Sequence, residues 1–205
     1  MRWIMEHLLA LKKSFIAGLL IGIGCTVYLN MENKIVASFL FGLGLFTIIN
    51  FKLNLFTGKI GYLSKENYKE ILITLVGNCI GINTAALLIK QTRIGDKLIE
   101  VATPIVDTKL TDSYTSLFIL AIFCGMLMFI AVATFKLQPN ILGTIAVFLC
   151  VSVFIMAGFE HCIANMFYFG LVCTPAQYII PLIVMILGNS TGGILLYHLT
   201  KNNFA

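Results

Sequence analysis

Charge is scarce in this chain. Lys, Arg, Asp and Glu make up 11% of its 205 residues, where a soluble domain carries about 25%. Hydrophobic residues account for 59%, which excludes an ordinary soluble domain and places the chain in a lipid bilayer. CxxC pairs are absent as well. Cys25, Cys79, Cys124, Cys150, Cys162 and Cys173 each lie in or beside an apolar stretch, where a thiol serves as a small packing residue. Cys162 adjoins His161, but helical neighbours point about 100° apart, which works against a Cys–His nucleophile. A cleavable signal is not evident either: residues 1–13 are amphipathic, and no small-residue cleavage site follows them.

What the chain has instead is uncharged runs: 14–31, 35–51, 71–89, 113–135, 137–159 and 162–200. The last is too long for one crossing, and Cys173-Thr174-Pro175-Ala176-Gln177 is its natural turn. Six spans are therefore expected, at roughly 14–30, 35–60, 69–92, 112–136, 141–170 and 174–200, in one transmembrane domain covering 1–205. With both termini cytoplasmic, the inside holds Arg2, Lys12, Lys13, Lys59, Lys65, Lys69, Lys136 and Lys201. The outside then holds Lys34, Lys90, Arg93, Lys97 and Lys109, an asymmetry that favours this orientation. The net charge of +5 reads as topological, and no nucleic acid partner is expected.

The third span contains Gly77-Asn78-Cys79-Ile80-Gly81 and the sixth contains Gly188-Asn189-Ser190-Thr191-Gly192. The span before each is interrupted by polar residues: Asn50, Lys52, Asn54 and Thr57 in the second, Gly158, Glu160 and His161 in the fifth. Small residues at such spacing also serve plain helix packing. Interruption followed by GNxxG in both halves, however, makes 14–92 and 112–200 two copies of one plan. Three crossings per copy set the second copy upside down, an inverted repeat with its site near mid-membrane. A fifth span of 30 residues is about 45 Å long as one helix, against a hydrocarbon core of about 30 Å. Breaks are expected between about Leu45 and Thr57 and between about Phe154 and His161, where non-helical backbone lines a cavity or is buried in protein.

Ionisable residues inside a span mark a pathway or a relay. His161 is either a proton donor to a solute or a structural histidine bonded to another helix. Glu160 cannot share its face of a helix and is expected to bind freed backbone N–H groups at the break. Asn165 lies four residues beyond His161, on the same helical face. Thr57 offers a hydroxyl at the other break. Lys52 either snorkels to an interface or adds positive potential near the pore. Phe41 and Leu45 share one helical face, and Phe154 shares a face with His161, which suits an apolar constriction around a polar centre.

These residues resemble the formate/nitrite transporter family. The likeness rests on Asn54-Leu55-Phe56-Thr57-Gly58, on Gly77-Asn78, and above all on Phe159-Glu160-His161-Cys162-Ile163-Ala164-Asn165-Met166-Phe167. Lys109-Leu110-Thr111 and Lys13-Ser14-Phe15 match the family's basic positions before the fourth and first spans. The resemblance implies an all-α, aquaporin-like protomer of six transmembrane helices with broken second and fifth helices. It further implies a homopentamer in the prokaryotic plasma membrane, with one pore per protomer and no cofactor. Family members pass small monovalent anions of weak acids, among them formate, nitrite, acetate, lactate and hydrosulfide. By the family's pattern His161 and Thr57 form the central site, and Lys109 stands in the outer vestibule. Phe41, Leu45, Phe56, Met128 and Phe154 fall at or near the constrictions. Two departures bear on the substrate: Asn54 replaces an acidic residue, and Gly125 stands where formate channels carry an asparagine beside the pore. With the general likeness to the hydrosulfide branch, they favour hydrosulfide over formate or nitrite.

Overall fold

The computed structural model describes residues 2–203. Helices form all of its regular structure among these residues: α1 (Arg2–Asn30), α2 (Lys34–Asn50), α3 (Phe56–Lys59), α4 (Tyr68–Lys90), α5 (Gly95–Thr111), α6 (Tyr114–Leu137), α7 (Ile141–Met156), α8 (Cys162–Val172) and α9 (Pro175–Thr200), with 3₁₀ turns at Ile60–Tyr62 and Lys201–Asn203. Among the described residues four helices are long and apolar enough to cross a membrane: α1 from Ile4, α4, α6 and α9. The expected second and fifth spans are each divided. The first break, between α2 and α3, spans 51–55, and the second, between α7 and α8, spans 157–161. Both lie inside the windows that the polar interruptions marked.

Local chemistry sets the ends of these elements. Asn33 caps α2, its Oδ1 accepting from Ile35 N and Val36 N at 3.1 Å each. Asn140 caps α7 in the same way, accepting from Leu142 N at 2.9 Å and Gly143 N at 3.4 Å. Such caps satisfy backbone donors that the first helical turn leaves over. Pro175 begins α9 behind Thr174, which is joined to Gln177 in a capping box. Two features differ from expectation. The first span extends back to Arg2 as one helix, and the 95–111 segment between the two halves is the amphipathic helix α5, carried through Pro104.

In lipid, apolar burial gives helices little reason to associate, so close packing and hydrogen bonds must do it. The GNxxG glycines supply the close packing. A Cβ on Gly81 would stand 2.0 Å from the Phe15 carbonyl oxygen, and one on Gly192 would stand 2.0 Å from that of Ile122. Hence α1 crosses α4, and α6 crosses α9, at backbone contact. The outward faces carry exposed Leu8, Ile23, Leu43, Leu87, Ile130, Leu149 and Ile183. Such a belt suits hydrocarbon and would aggregate in water. Tyr197 near the end of α9 packs on Tyr62 after α3, ring centroids 5.3 Å apart. Glu6 from α1 and Lys136 from α6 line one cavity on this side. The two ends of the described chain therefore lie on one face.

Candidate functional site

The two breaks are built alike. After α2, Lys52 N–H donates to Ile49 O at 3.1 Å and Leu53 N–H to Ile48 O at 2.9 Å. After α7, Gly158 N–H donates to Ile155 O at 3.1 Å and Phe159 N–H to Phe154 O at 2.9 Å. Both turns pass through a left-handed residue, Gly158 at φ 71° and Lys52 at φ 52°. Glycine adopts this conformation freely, whereas a residue with a side chain meets a cost of about 1–2 kcal/mol. Beyond each turn the backbone is extended, at Leu55 and at His161, before the next helix starts.

Extended backbone at membrane depth needs hydrogen-bond partners, and the asparagines of the two GNxxG motifs supply them. Asn78 Oδ1 accepts from Phe56 N at 2.8 Å, while its Nδ2 donates to Asn54 O at 2.9 Å and Ser14 O at 2.8 Å. Asn189 Oδ1 accepts from Cys162 N at 2.9 Å, while its Nδ2 donates to Glu160 O and Ala121 O, both at 2.8 Å. Sequence reasoning located both motifs and missed this role. The signal was there: an asparagine between two packing glycines of an uncharged span has to satisfy its amide somewhere.

The breaks bring Thr57 and His161 together, with Thr57 Oγ1 3.0 Å from His161 Nε2. His161 Nδ1 accepts from Ala164 N–H at 3.1 Å, capping α8. Nδ1 is therefore unprotonated, so in the neutral ring Nε2 carries the hydrogen and donates it to Thr57. The threonine's own O–H is left to donate elsewhere. Phe154 stacks on the imidazole at 5.4 Å between centroids, and Phe41 meets Phe154 edge-on at 6.1 Å. Thr57 is 1% exposed and His161 3%, which closes the pair off from both faces. Leu45, Phe56 and Met128 are buried too.

Four sequence expectations change here. Glu160 does not bind freed backbone N–H groups: its carboxylate takes Lys109 Nζ at 2.6 and 2.7 Å and Asn165 Nδ2 at 2.6 Å. A buried carboxylate beside a neutral break is better satisfied by an ammonium than by amides. Lys109 is correspondingly not a free vestibule charge, since a carboxylate cancels it locally. Asn165 does not hold the imidazole through its amide nitrogen, which goes to Glu160 and to Met185 Sδ at 3.0 Å. Gly125 is not a pore position that has lost a polar group. A Cβ there would stand 2.2 Å from Asn189 O, so the position belongs to the α6–α9 crossing. Asn54 is buried at the first break, and Lys52 is exposed beside it. Both line a cavity of about 990 Å³ that also reaches Leu55 and Gly58 on either side of Phe56 and Thr57. Cys162 gains nothing from His161, whose ring nitrogens serve Ala164 and Thr57.

A family model described as formate/nitrite transporter matches residues 5–201. The chain belongs to the formate/nitrite transporter family. Among solved structures, a "Pentameric formate channel with formate bound" superposes with a TM-score of 0.83 at 22% identity, covering 97% of each chain. An "FNT family ion channel" gives a TM-score of 0.81 at 24% identity, covering 97% of this chain and 90% of that one. These likenesses establish the fold. No curated protein matches. Membership of this family, with four long apolar helices, makes the chain a multi-pass membrane protein of transport and not an enzyme.

Proposed function

We propose that the protein is a channel for small monovalent anions of weak acids, with hydrosulfide favoured and formate or nitrite as the alternatives. The observation that carries this reading is the Thr57–His161 contact at the meeting point of two helix breaks. An anion entering an apolar slit loses its hydration, and a fixed donor inside a closed site offsets part of that loss. Thr57 is that donor. His161, held as the neutral Nε2–H form by Ala164, fixes the threonine oxygen and leaves its hydroxyl hydrogen for the anion.

A proton-donor role for His161 would need a second ring hydrogen at Nδ1, where Ala164 N–H already points. Proton donation therefore requires opening the α8 cap, and we assign His161 to positioning Thr57. Hydrosulfide is favoured because a small, weakly hydrated anion loses less on entering an apolar slit than a carboxylate does. Asn54, an amide in place of a carboxylate, removes a repelling charge from the pathway mouth. Gly125 no longer contributes to this preference.

The site lies in a protomer of six crossings, with 14–92 and 112–200 as inverted, aquaporin-like halves. The matching breaks, the matching Asn78 and Asn189 bonds and the matching caps at Asn33 and Asn140 support this. The protomer assembles as a homopentamer in the cell membrane with both termini cytoplasmic. The likeness to a pentameric formate channel supports the assembly, and the lysine distribution supports the orientation. Phe41, Leu45, Phe56, Met128 and Phe154 form the apolar constrictions around the central pair. A proteoliposome flux panel of hydrosulfide, formate, nitrite and chloride at two pH values tests the substrate. Hydrosulfide should be fastest and chloride slowest; formate faster than hydrosulfide by severalfold would reverse the preference.

A further inference from the structure

Lys52 occupies the place that Gly158 holds in the matching turn. Both follow a half-helix with the same pair of hydrogen bonds, and both have positive φ, 52° and 71°. The turn suits glycine. Among the described residues, Lys52 is the one non-glycine residue with positive φ. Backbone held against preference gathers at ligand sites and switch regions.

Its surroundings show what the side chain is for. Lys52 is exposed on the wall of the cavity of about 990 Å³ at the face that holds both chain ends. Lys13, Lys59, Lys69 and Lys136 reach the same walls from α1, α3, α4 and α6. Against these five lysines stand the carboxylates of Glu6, Glu66 and Glu70, and Glu70 is engaged by Lys59 at 2.5 Å. The volume is of the order that holds a small organic ligand, about 300–1,000 Å³. A monovalent anion needs neither so wide a chamber nor so many lysines. The inner end is apolar, formed by Leu45, Leu55 and Val132, and Thr57 beyond it is 1% exposed. An anion of two or more charges that enters the cavity meets a step it cannot take, because its desolvation is far costlier than that of a monovalent anion.

We propose that this cavity binds phosphate-type anions of two or more charges through Lys52 and the lysines around it, and that a bound anion blocks the pathway from that face. The block rests on the transport reading above; the binding does not. Such phosphates reach this face either as soluble molecules or as lipid headgroups.

The experiment uses the full-length protein and pyrophosphate. Binding is read by phosphorus NMR titration in detergent at constant ionic strength, and flux is read in phosphatidylcholine liposomes with and without cardiolipin, whose headgroup carries two phosphate charges. Saturable binding is expected, weakened at least about tenfold in Lys52→Gly, as for loss of one charged hydrogen bond, and retained in Lys52→Arg. Because glycine relieves the turn, Lys52→Gly should unfold at no lower a temperature, which separates lost binding from misfolding. Pyrophosphate on one side of phosphatidylcholine liposomes should slow monovalent anion flux severalfold, which marks a soluble occupant. Slowing by cardiolipin, relieved by Lys52→Gly, marks a headgroup. Absence of saturable binding, or binding that Lys52→Gly leaves unchanged, overturns the proposal. If no anion crosses under any condition, the channel reading fails while the binding titration still decides this one.

Discussion

A single backbone hydrogen bond decides what His161 can do. Because Ala164 N–H points at Nδ1, the ring is neutral with its hydrogen on Nε2. Nitrogen NMR of the labelled histidine should show Nδ1 bare and Nε2 protonated at neutral pH; a protonated Nδ1 would restore the proton-donor role. Asparagine is a good helix cap, so His161→Asn should keep α8 folded while losing the support of Thr57. Its unfolding temperature should stay near that of the parent while its anion selectivity changes. The Lys109–Glu160 pair behaves differently. With the lysine side chain 13% exposed and the glutamate 6%, removing one partner strands the other. Lys109→Met should cost about 3–5 kcal/mol of stability, seen as a lower thermal midpoint in detergent. A midpoint within a degree of the parent's would show that the pair is solvated.

At the scale of elements, the two breaks are stable because one asparagine side chain serves three backbone groups at each. Asn189→Leu removes these partners, and each stranded backbone group costs about 1–3 kcal/mol. Asn78→Leu should do the same for the first break, and both variants should lose folded protein on purification. A variant that purifies and melts like the parent would show that water fills the asparagine's place. The breaks themselves were legible in the sequence, because glycine and polar residues interrupt spans that are otherwise free of charge, and because the fifth span is too long for one helix. Helix α5 was not: its mixture of charge, threonine and Pro104 gives no apolar run, and it is held by packing against α8 and α1. The partner of Glu160 was hidden for another reason. Lys109 lies 51 residues away, and only the fold brings the end of α5 to the second break. Thr57 and His161 were expected as a pair only through the family resemblance, because Asn50, Lys52 and Asn54 are donors at the same interruption as Thr57, and the imidazole's tautomer depends on a contact that no spacing reveals.

For the whole molecule, the apolar outer belt, the shared face of the two chain ends and the closed central pair describe one state of a transport protein. The pair is sealed at 1% and 3% exposure, so passage requires the groups packed around it to move. The most direct test of this account is hydrosulfide flux into proteoliposomes, compared between the parent and Thr57→Val. Valine fills the same space without the hydroxyl and leaves His161 Nε2–H without its acceptor. With one donor to the anion lost, flux should fall at least about tenfold, while the stranded imidazole N–H lowers the melting temperature only by the few degrees that about 1–3 kcal/mol gives. Flux through Thr57→Val equal to that of the parent would mean that the anion crosses without the Thr57–His161 site, and would contradict the account.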